Sequence, residues 1–302
     1  MARPVLVLGG HGFLGRQVCA VLRGAGQEAV AAGRSAEPRV DLTEPATIVA
    51  ALRDLEPSSV ICAAGLSSSG AATVDPSVCL RTNVTGIFNL LEAISRERPA
   101  CHLTLLSTAV LYAPSRSPLT EESPTEAGSI YAASKLAAEV LCRQYAAGGL
   151  SIAMLRSFNL IGPGQPAEQA PGEFTRAAVA AHREGRSEAT IRVRDPQIRR
   201  DFTDVRDAAA AVAAVAGRGL AGTFNLCSGR TVSLAELAAL TSEALDGSEP
   251  FELRLEASLA PRSGDPETMV GDPSRLQEAT GWSAGIDVRD SVADLVAGLG
   301  AV

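Results

Sequence analysis

Tyr131 and Lys135 stand four residues apart, a spacing that puts a phenol and an ammonium on one face of a helix. An ammonium beside a phenol stabilises phenolate, so such a tyrosine can give and take a proton nearer neutral pH. Upstream, Ser107 and Thr108 follow the apolar run Leu103–Leu106, and hydroxyls at a strand end either cap the backbone or hold a substrate oxygen. Near the N-terminus, Gly9, Gly12 and Gly15 keep a GxxGxxG spacing directly after the apolar run Val5–Leu8. A glycine-rich turn between strand and helix brings backbone N–H groups up to a phosphate with no Cβ in the way. Each string is weak alone; in this order they describe proton exchange at an alcohol or ketone beside a dinucleotide, which is hydride-transfer chemistry.

The cofactor side can be read further. The second apolar run, Ala29–Ala32, leads into Gly33-Arg34-Ser35 rather than the acidic residue that takes a ribose 2′-hydroxyl. A cation and a hydroxyl there favour the 2′-phosphate of NADP (NADPH); NAD is the alternative, and a solvated loop arginine is the plainer reading of Arg34. Phe13 and Leu14 in the glycine turn, Asp41-Leu42 beside the adenine and the small stretch Ala63-Ala64-Gly65 complete the expected cofactor wall.

Those residues need a scaffold that gathers them at one edge. Strand-like runs alternate with helical ones: Val5–Leu8 and a helix from about Gly12, Ala29–Ala32 and Ala46–Leu55, Val60–Ala63 and Leu80–Arg96, Leu103–Leu106 and Ser129–Tyr145, then Ile152–Leu155. The pattern predicts an α/β fold of Rossmann type, a doubly wound parallel sheet covered on both faces. After Asn159 the string Gly162-Pro163-Gly164-Gln165-Pro166 breaks the pattern and opens a smaller C-terminal lobe. The helix Asp204–Ala216 and strand Gly222–Leu226 return to the sheet, and small helices near Leu234–Leu245, Ser274–Thr280 and Val288–Leu299 follow. The expected division is a nucleotide-binding domain of residues 1–158 and 200–228 and a substrate-binding lobe of residues 159–199 and 229–302.

Composition narrows the partners. The 302 residues are 46% hydrophobic and 20% charged, ordinary for a globular cytoplasmic protein. A formal charge of −7 disfavours nucleic acid or an anionic membrane as main partner, yet leaves local arginines able to grip a small phosphorylated molecule. Cys19, Cys62, Cys79, Cys101, Cys142 and Cys227 are scattered singly and read as reduced core thiols; neither a disulfide nor a metal is expected. Met1–Leu8 lacks the pattern of a signal peptide, and the Ala-rich run Ala208–Ala216 is far short of the roughly 20 residues that span a bilayer.

With these residues in hand, the chain resembles the extended short-chain dehydrogenase/reductase superfamily, in its nucleotide-sugar branch, over essentially its whole length. The matching strings are the glycine turn, Asn83-Val84-Thr85-Gly86, Thr108 ahead of Leu111-Tyr112-Ala113, and Tyr131 with Lys135. Ala113 stands where the family usually has glycine. The resemblance implies that Tyr131 is the proton donor and acceptor, that Lys135 binds the nicotinamide ribose and assists the tyrosine, and that Thr108, with Ser107, orients the reacting oxygen. Asn83 belongs to the cofactor set, and pairing through the helices near Leu80–Arg96 and Ser129–Tyr145 implies a homodimer.

Later strings look most like GDP-4-keto-6-deoxymannose reductases and related nucleotide-sugar 4-ketoreductases: Arg156-Ser157-Phe158-Asn159, Arg199-Arg200-Asp201-Phe202, and Phe224-Asn225-Leu226. By that resemblance Asn159 contacts the sugar nucleotide, while Arg200 and Arg262 bind its diphosphate; the plainer readings are a turn residue and surface ion-pair partners. Dehydratases of similar sequence carry an acid pair straight after the threonine, where this chain has Ala109-Val110. The expected activity is therefore NADPH-dependent reduction of the C4 ketone of a dTDP- or GDP-linked 4-keto-6-deoxyhexose. NAD-dependent epimerisation is the alternative, and a non-catalytic NADP-binding regulator is a reading from another class.

Overall fold

The computed structural model describes residues 3–66, 69–245, 250–259 and 266–300. Parallel strands covered on both faces must be apolar along their length, and β1 (Val5–Leu8) is buried at every position. Successive side chains still point opposite ways: Leu6 and Leu8 enter one core, Val5 and Val7 the other. β1 is followed by α1 (Phe13–Gly24), β2 (Ala29–Ala32), α2 (Pro45–Leu55), β3 (Ser59–Cys62), α3 (Ser69–Val74) and α4 (Pro76–Leu80). A π-helical turn, Arg81–Thr85, joins α4 to α5 (Gly86–Glu97), and β4 (His102–Thr108), α6 (Ile130–Ala147) and β5 (Ile152–Ser157) come next. The remainder is β6 (Asn159–Ile161), α7 (Ala170–Arg183), β7 (Glu188–Val193), β8 (Arg199–Asp204), α8 (Val205–Arg218), β9 (Gly222–Leu226), β10 (Thr231–Ser233), α9 (Leu234–Glu243), β11 (Glu252–Ala257), β12 (Thr268–Met269), α10 (Ser274–Thr280) and α11 (Val288–Gly300).

The main sheet has six strands in the order β2-β1-β3-β4-β5-β9, and every pair is parallel. One face is covered by α2, α5 and α6 through Leu52, Leu90, Leu91 and Cys142, the other by α1 and α8 through Val18, Leu22, Val212 and Val215. The Rossmann-type doubly wound fold read from the sequence is thus the fold of the chain. Strand order reverses between β1 and β3, and ligands of such sheets sit beyond the strands' carboxyl ends at that point. In α8 the buried Ala208, Ala209 and Ala211 let the helix approach closely.

β8 lies in a second, smaller sheet, antiparallel to β10 and parallel to β12 and β6. Residues 200–204, grouped with the nucleotide-binding domain in the sequence reading, therefore pair with lobe strands. β7 and β11 make a parallel ribbon, and β7 alternates exposed with buried positions so that Ala189, Ile191 and Val193 reach a third core with Phe174, Phe202 and Leu237.

The sequence reading names no helix over α7, whose first turn contains Pro171-Gly172. Proline is tolerated in a helix's first turn, where its missing N–H would have no intrahelical partner, and Phe174, Ala178 and Ala181 then face the third core. All six cysteines are free and buried. Among the described residues no helix is long and apolar enough to cross a membrane.

Candidate active site

The turn between β1 and α1 is built of close backbone contacts. Gly9 holds φ at +76°, where a side chain is strained, and a Cβ there would stand 2.8 Å from the Ala64 nitrogen. A Cβ on Gly15 would fall 2.0 Å from the Gly9 carbonyl oxygen, so α1 can begin against the turn only with glycine there. α1 starts at Gly12 without a side-chain cap, which leaves its first N–H groups for an incoming acceptor. Gly9, Gly12, Phe13 and Leu14 all line one cleft of about 1390 Å³. A pocket for one drug-sized ligand runs to roughly 1,000 Å³, so this cleft has room for a dinucleotide and a second molecule.

Arg34, Asp41, Leu42, Ala63, Ala64 and Gly65 line the same cleft. Arg34 is exposed; Ser35 is exposed too but lies off the cleft wall. Burial pushes the Asp41 carboxyl up, but hydrogen bonds from the Thr43 nitrogen (2.9 Å) and hydroxyl (2.8 Å), with the Arg34 and Arg39 cations nearby, hold it below the ordinary value. The small residues at positions 63–65 and the uncapped helix start suit a dinucleotide pyrophosphate.

Asn83 is placed differently from the sequence reading. It is buried behind the cleft wall rather than lining it, accepting from the Leu66 nitrogen at 2.9 Å and donating to the Leu66 carbonyl at 3.2 Å and the Ser134 hydroxyl at 3.1 Å. It therefore ties the loop after β3 to α6.

α6 starts where Ser129 accepts from the Ala132 nitrogen at 3.1 Å, a cap worth about 1 kcal/mol. Two residues later Tyr131 lines the cleft, and its hydroxyl meets no partner among the described residues. One turn on, Lys135 also lines the cleft and donates to the Leu106 carbonyl at 3.0 Å. Burial pushes the thiol of Cys62 up to about 11 against the pull of the Lys135 ammonium, so the cysteine behind the site stays neutral.

Ser107 and Thr108 line the cleft from the end of β4. The Thr108 hydroxyl accepts from the Val110 nitrogen at 3.3 Å, so it caps the short turn Ala109–Leu111 and still faces the cleft. The Ser107 hydroxyl donates to Glu139 at 2.6 Å. A second tyrosine, Tyr112, donates to Asn225 at 2.6 Å, and burial pushes it up to about 12. Of the two, Tyr131 is the one with a hydroxyl open to a ligand.

Across the cleft, Asn159 and Arg200 join Phe202, Leu234 and Met269. Asn159 donates to the Asp201 carbonyl at 3.2 Å, and Arg200 to the Arg199 and Pro266 carbonyls, each at 2.9 Å. Arg262 lies outside the described residues. Glu126 and Val110 also line the cleft, and the sequence reading assigned neither a binding role. Glu126 sits in an irregular stretch before Ser129, where no periodicity marks which side chains turn inward.

The chain matches the model of the NAD dependent epimerase/dehydratase family over residues 5–227. It belongs to that family. GDP-6-deoxy-D-mannose reductase of Pseudomonas aeruginosa is 30% identical over 300 residues, covering 97% of this chain and 95% of that protein. The solved structure of RMD from Pseudomonas aeruginosa complexed with NADPH has a TM-score of 0.86 and 28% identity, covering 100% of this chain and 98% of that one. The UDP-glucose 4-epimerase of Thermus thermophilus, solved in complex with NAD, has a TM-score of 0.86 and 28% identity over 99% of this chain and 100% of its own.

Family membership bears out the recognition, the Rossmann fold and the NAD(P)-dependent oxidoreductase class expected from the sequence. Within this family member, one cleft unites a glycine turn, a free phenol, an anchored ammonium and a strand-end hydroxyl. That set can bind a dinucleotide and move a proton at an oxygen beside it.

Proposed function

We propose that the protein reduces the C4 ketone of a nucleoside-diphosphate 4-keto-6-deoxyhexose with NADPH. The observation that carries this reading is the wall beside Thr108: Ala109 and Val110 line the cleft there, and neither can supply the acid or base that eliminating water requires. Arg34 on the same cleft supports NADPH, since a guanidinium suits a 2′-phosphate. Likeness to GDP-6-deoxy-D-mannose reductase supports a keto-sugar substrate, with GDP- and dTDP-linked donors both in range.

In this mechanism NADPH, when bound, supplies the hydride. Gly9, Gly12, Phe13 and Leu14, which line the cleft at the glycine turn, would hold its pyrophosphate, and Arg34 and Asp41-Leu42 would hold its adenosine end. Thr108 donates its hydroxyl to the ketone oxygen while that hydroxyl still accepts from the Val110 nitrogen. Tyr131 gives the proton to the same oxygen as it becomes an alkoxide. Lys135, fixed to the Leu106 carbonyl, keeps a positive charge on the tyrosine's face of α6. Asn159 and Arg200, the latter through its guanidinium, address the sugar nucleotide across the cleft.

The test is NADPH and NADH oxidation with dTDP- and GDP-4-keto-6-deoxyhexoses made in situ by their dehydratases. Loss of NADPH absorbance with one donor, faster than with NADH, is expected. A tightly retained NAD with no net cofactor oxidation would instead make the protein an epimerase. A homodimer is part of this reading, supported by the exposed apolar side chains Leu80 of α4, Phe88 of α5 and Val140 of α6, and light scattering on the purified protein checks it.

A further inference from the structure

α6 presents chemistry at four-residue intervals: Tyr131, Lys135 and then Glu139. Glu139 is fully buried, where a carboxylate persists only when paired. Its partners come from two strands and its own helix. Ser107 of β4 donates to Oε1 at 2.6 Å, and Arg156 of β5 donates from Nε to Oε1 at 3.1 Å and from Nη2 to Oε2 at 2.8 Å. Arg143, partly exposed, reaches Oε2 at 3.2 Å. Arg156 is itself buried, lies 4.7 Å from the centroid of the Tyr112 ring, and donates to the Glu121 carbonyl at 3.1 Å.

The connections are in register. Lys135 binds the Leu106 carbonyl and Glu139 binds the Ser107 hydroxyl, so successive residues of β4 are tied to successive turns of α6. The next residue of β4 is Thr108, and the preceding turn of α6 carries Tyr131. A buried ion pair adds little net stability, because desolvation offsets its attraction and apolar residues of similar volume do as well. What a bidentate pair adds is fixed geometry.

We propose that Glu139 and Arg156 are positioning residues of the proton-transfer site, acting through Ser107 on β4 and through the helix α6 that Glu139 shares with Tyr131, to set Thr108 and Tyr131 on one substrate oxygen. The proposal rests on the reading of the cleft as a ketoreductase site. It also takes Ser107, a candidate substrate contact, as part of the support: its hydroxyl is committed to Glu139 rather than to a ligand.

Four variants test it: S107A removes one hydroxyl, E139Q keeps the shape and loses the charge, R156K keeps the charge and loses the fork, and R156M loses both. For each, kcat, the KM for the keto sugar nucleotide, the NADPH Kd and the thermal unfolding midpoint are measured. Misplacing a reacting group by an ångström can cost about a hundredfold, so a partial loosening predicts kcat down roughly tenfold in S107A and at least that in E139Q. KM and Kd should stay within about threefold of wild type, and R156K should keep more activity than R156M. Raised KM with unchanged kcat in S107A would make Ser107 a substrate ligand and overturn the proposal. So would full kcat in every variant that folds.

If wild type consumes no NADPH with either donor, the ketoreductase reading fails by itself. The same variants are then compared in the reduction of enzyme-bound NAD by a nucleotide sugar. Unchanged rates there, or no hydride transfer by wild type in either assay, overturn the positioning claim.

Discussion

Around the glycine turn, backbone meets backbone, and Gly9 and Gly15 leave no space for a Cβ. Across the cleft the wall is made of side chains, Asn159, Arg200, Phe202 and Met269, carried on strands of three, six and two residues. The first wall is fixed by main-chain geometry, so it suits the part of the ligand pair that never varies, a dinucleotide. The second can change its contacts without changing the fold, so it suits the part that distinguishes one substrate from another. Substitutions on the first side should disturb cofactor binding and stability together. On the second, at Asn159 and Arg200, they should change substrate affinity more than stability, whereas Phe202 also packs in the third core.

The seam between the two walls should show the largest effect. Y131F removes a positioned proton donor, and general acid catalysis contributes about 10²- to 10⁴-fold. kcat should fall within that range while the NADPH Kd, read by fluorescence titration, changes less than about threefold. G15V comes next. Its side chain would collide with the Gly9 carbonyl, and overpacking of this kind costs roughly 1–3 kcal/mol, so NADPH affinity and the thermal midpoint should drop in the same variant. If NADPH still binds tightly to a folded G15V protein, the backbone wall is not the cofactor wall.

On the side-chain wall, R200A removes hydrogen bonds from a charged donor, worth about 1.5–3 kcal/mol each. The KM for the sugar nucleotide should rise at least tenfold in steady-state assays, kcat should hold within about twofold, and the melting temperature should fall modestly, because the same guanidinium also holds the Arg199 and Pro266 carbonyls. A fallen melting temperature with unchanged KM would assign Arg200 to the lobe's architecture instead. R34A sharpens the contrast from the cofactor side. It should narrow the preference for NADPH over NADH by about tenfold, seen in the ratio of kcat/KM for the two cofactors, without the loss of stability expected of G15V.

The smallest effect concerns acid. Burial pushes the Asp204 carboxyl up, but hydrogen bonds from Arg206 and Ser291 outweigh it and hold its pKa below the ordinary value. A carboxyl with a lowered folded pKa contributes stability that is present above its unfolded value, near 4, and is lost as pH falls through the folded value. Thermal midpoints measured downward from pH 5 should therefore decline, and D204N, whose side chain does not titrate, should decline less steeply. Equal slopes would remove Asp204 from the explanation.

The sequence made the backbone side legible because its signals are local. Gly9, Gly12 and Gly15 lie within one strand-turn-helix, and Tyr131 and Lys135 within one turn, so spacing alone places them. The strand runs Val5–Leu8, Ala29–Ala32 and Gly222–Leu226 match the observed strands residue for residue. Where a role depends on distant partners, spacing says nothing. Ser107 and Thr108 are adjacent and chemically alike, yet one hydroxyl is taken by a glutamate 32 residues away and the other faces the cleft. Asn83 matched its motif but holds the wall from behind, through Leu66 and Ser134. The sequence reading names no helix over α7, and the short strands of the lobe are too brief to show alternation.

The most direct measurement is the fate of the hydride. NADPH carrying deuterium at the transferable position of nicotinamide C4 is incubated with the protein and each 4-keto-6-deoxyhexose donor, and the sugar is analysed by NMR. The reading of the cleft predicts one deuterium at sugar C4 per NADPH consumed, in a single configuration, with the reaction nearly absent in Y131F. An altered sugar with no deuterium and no cofactor consumed, or equal turnover by Y131F, would contradict it.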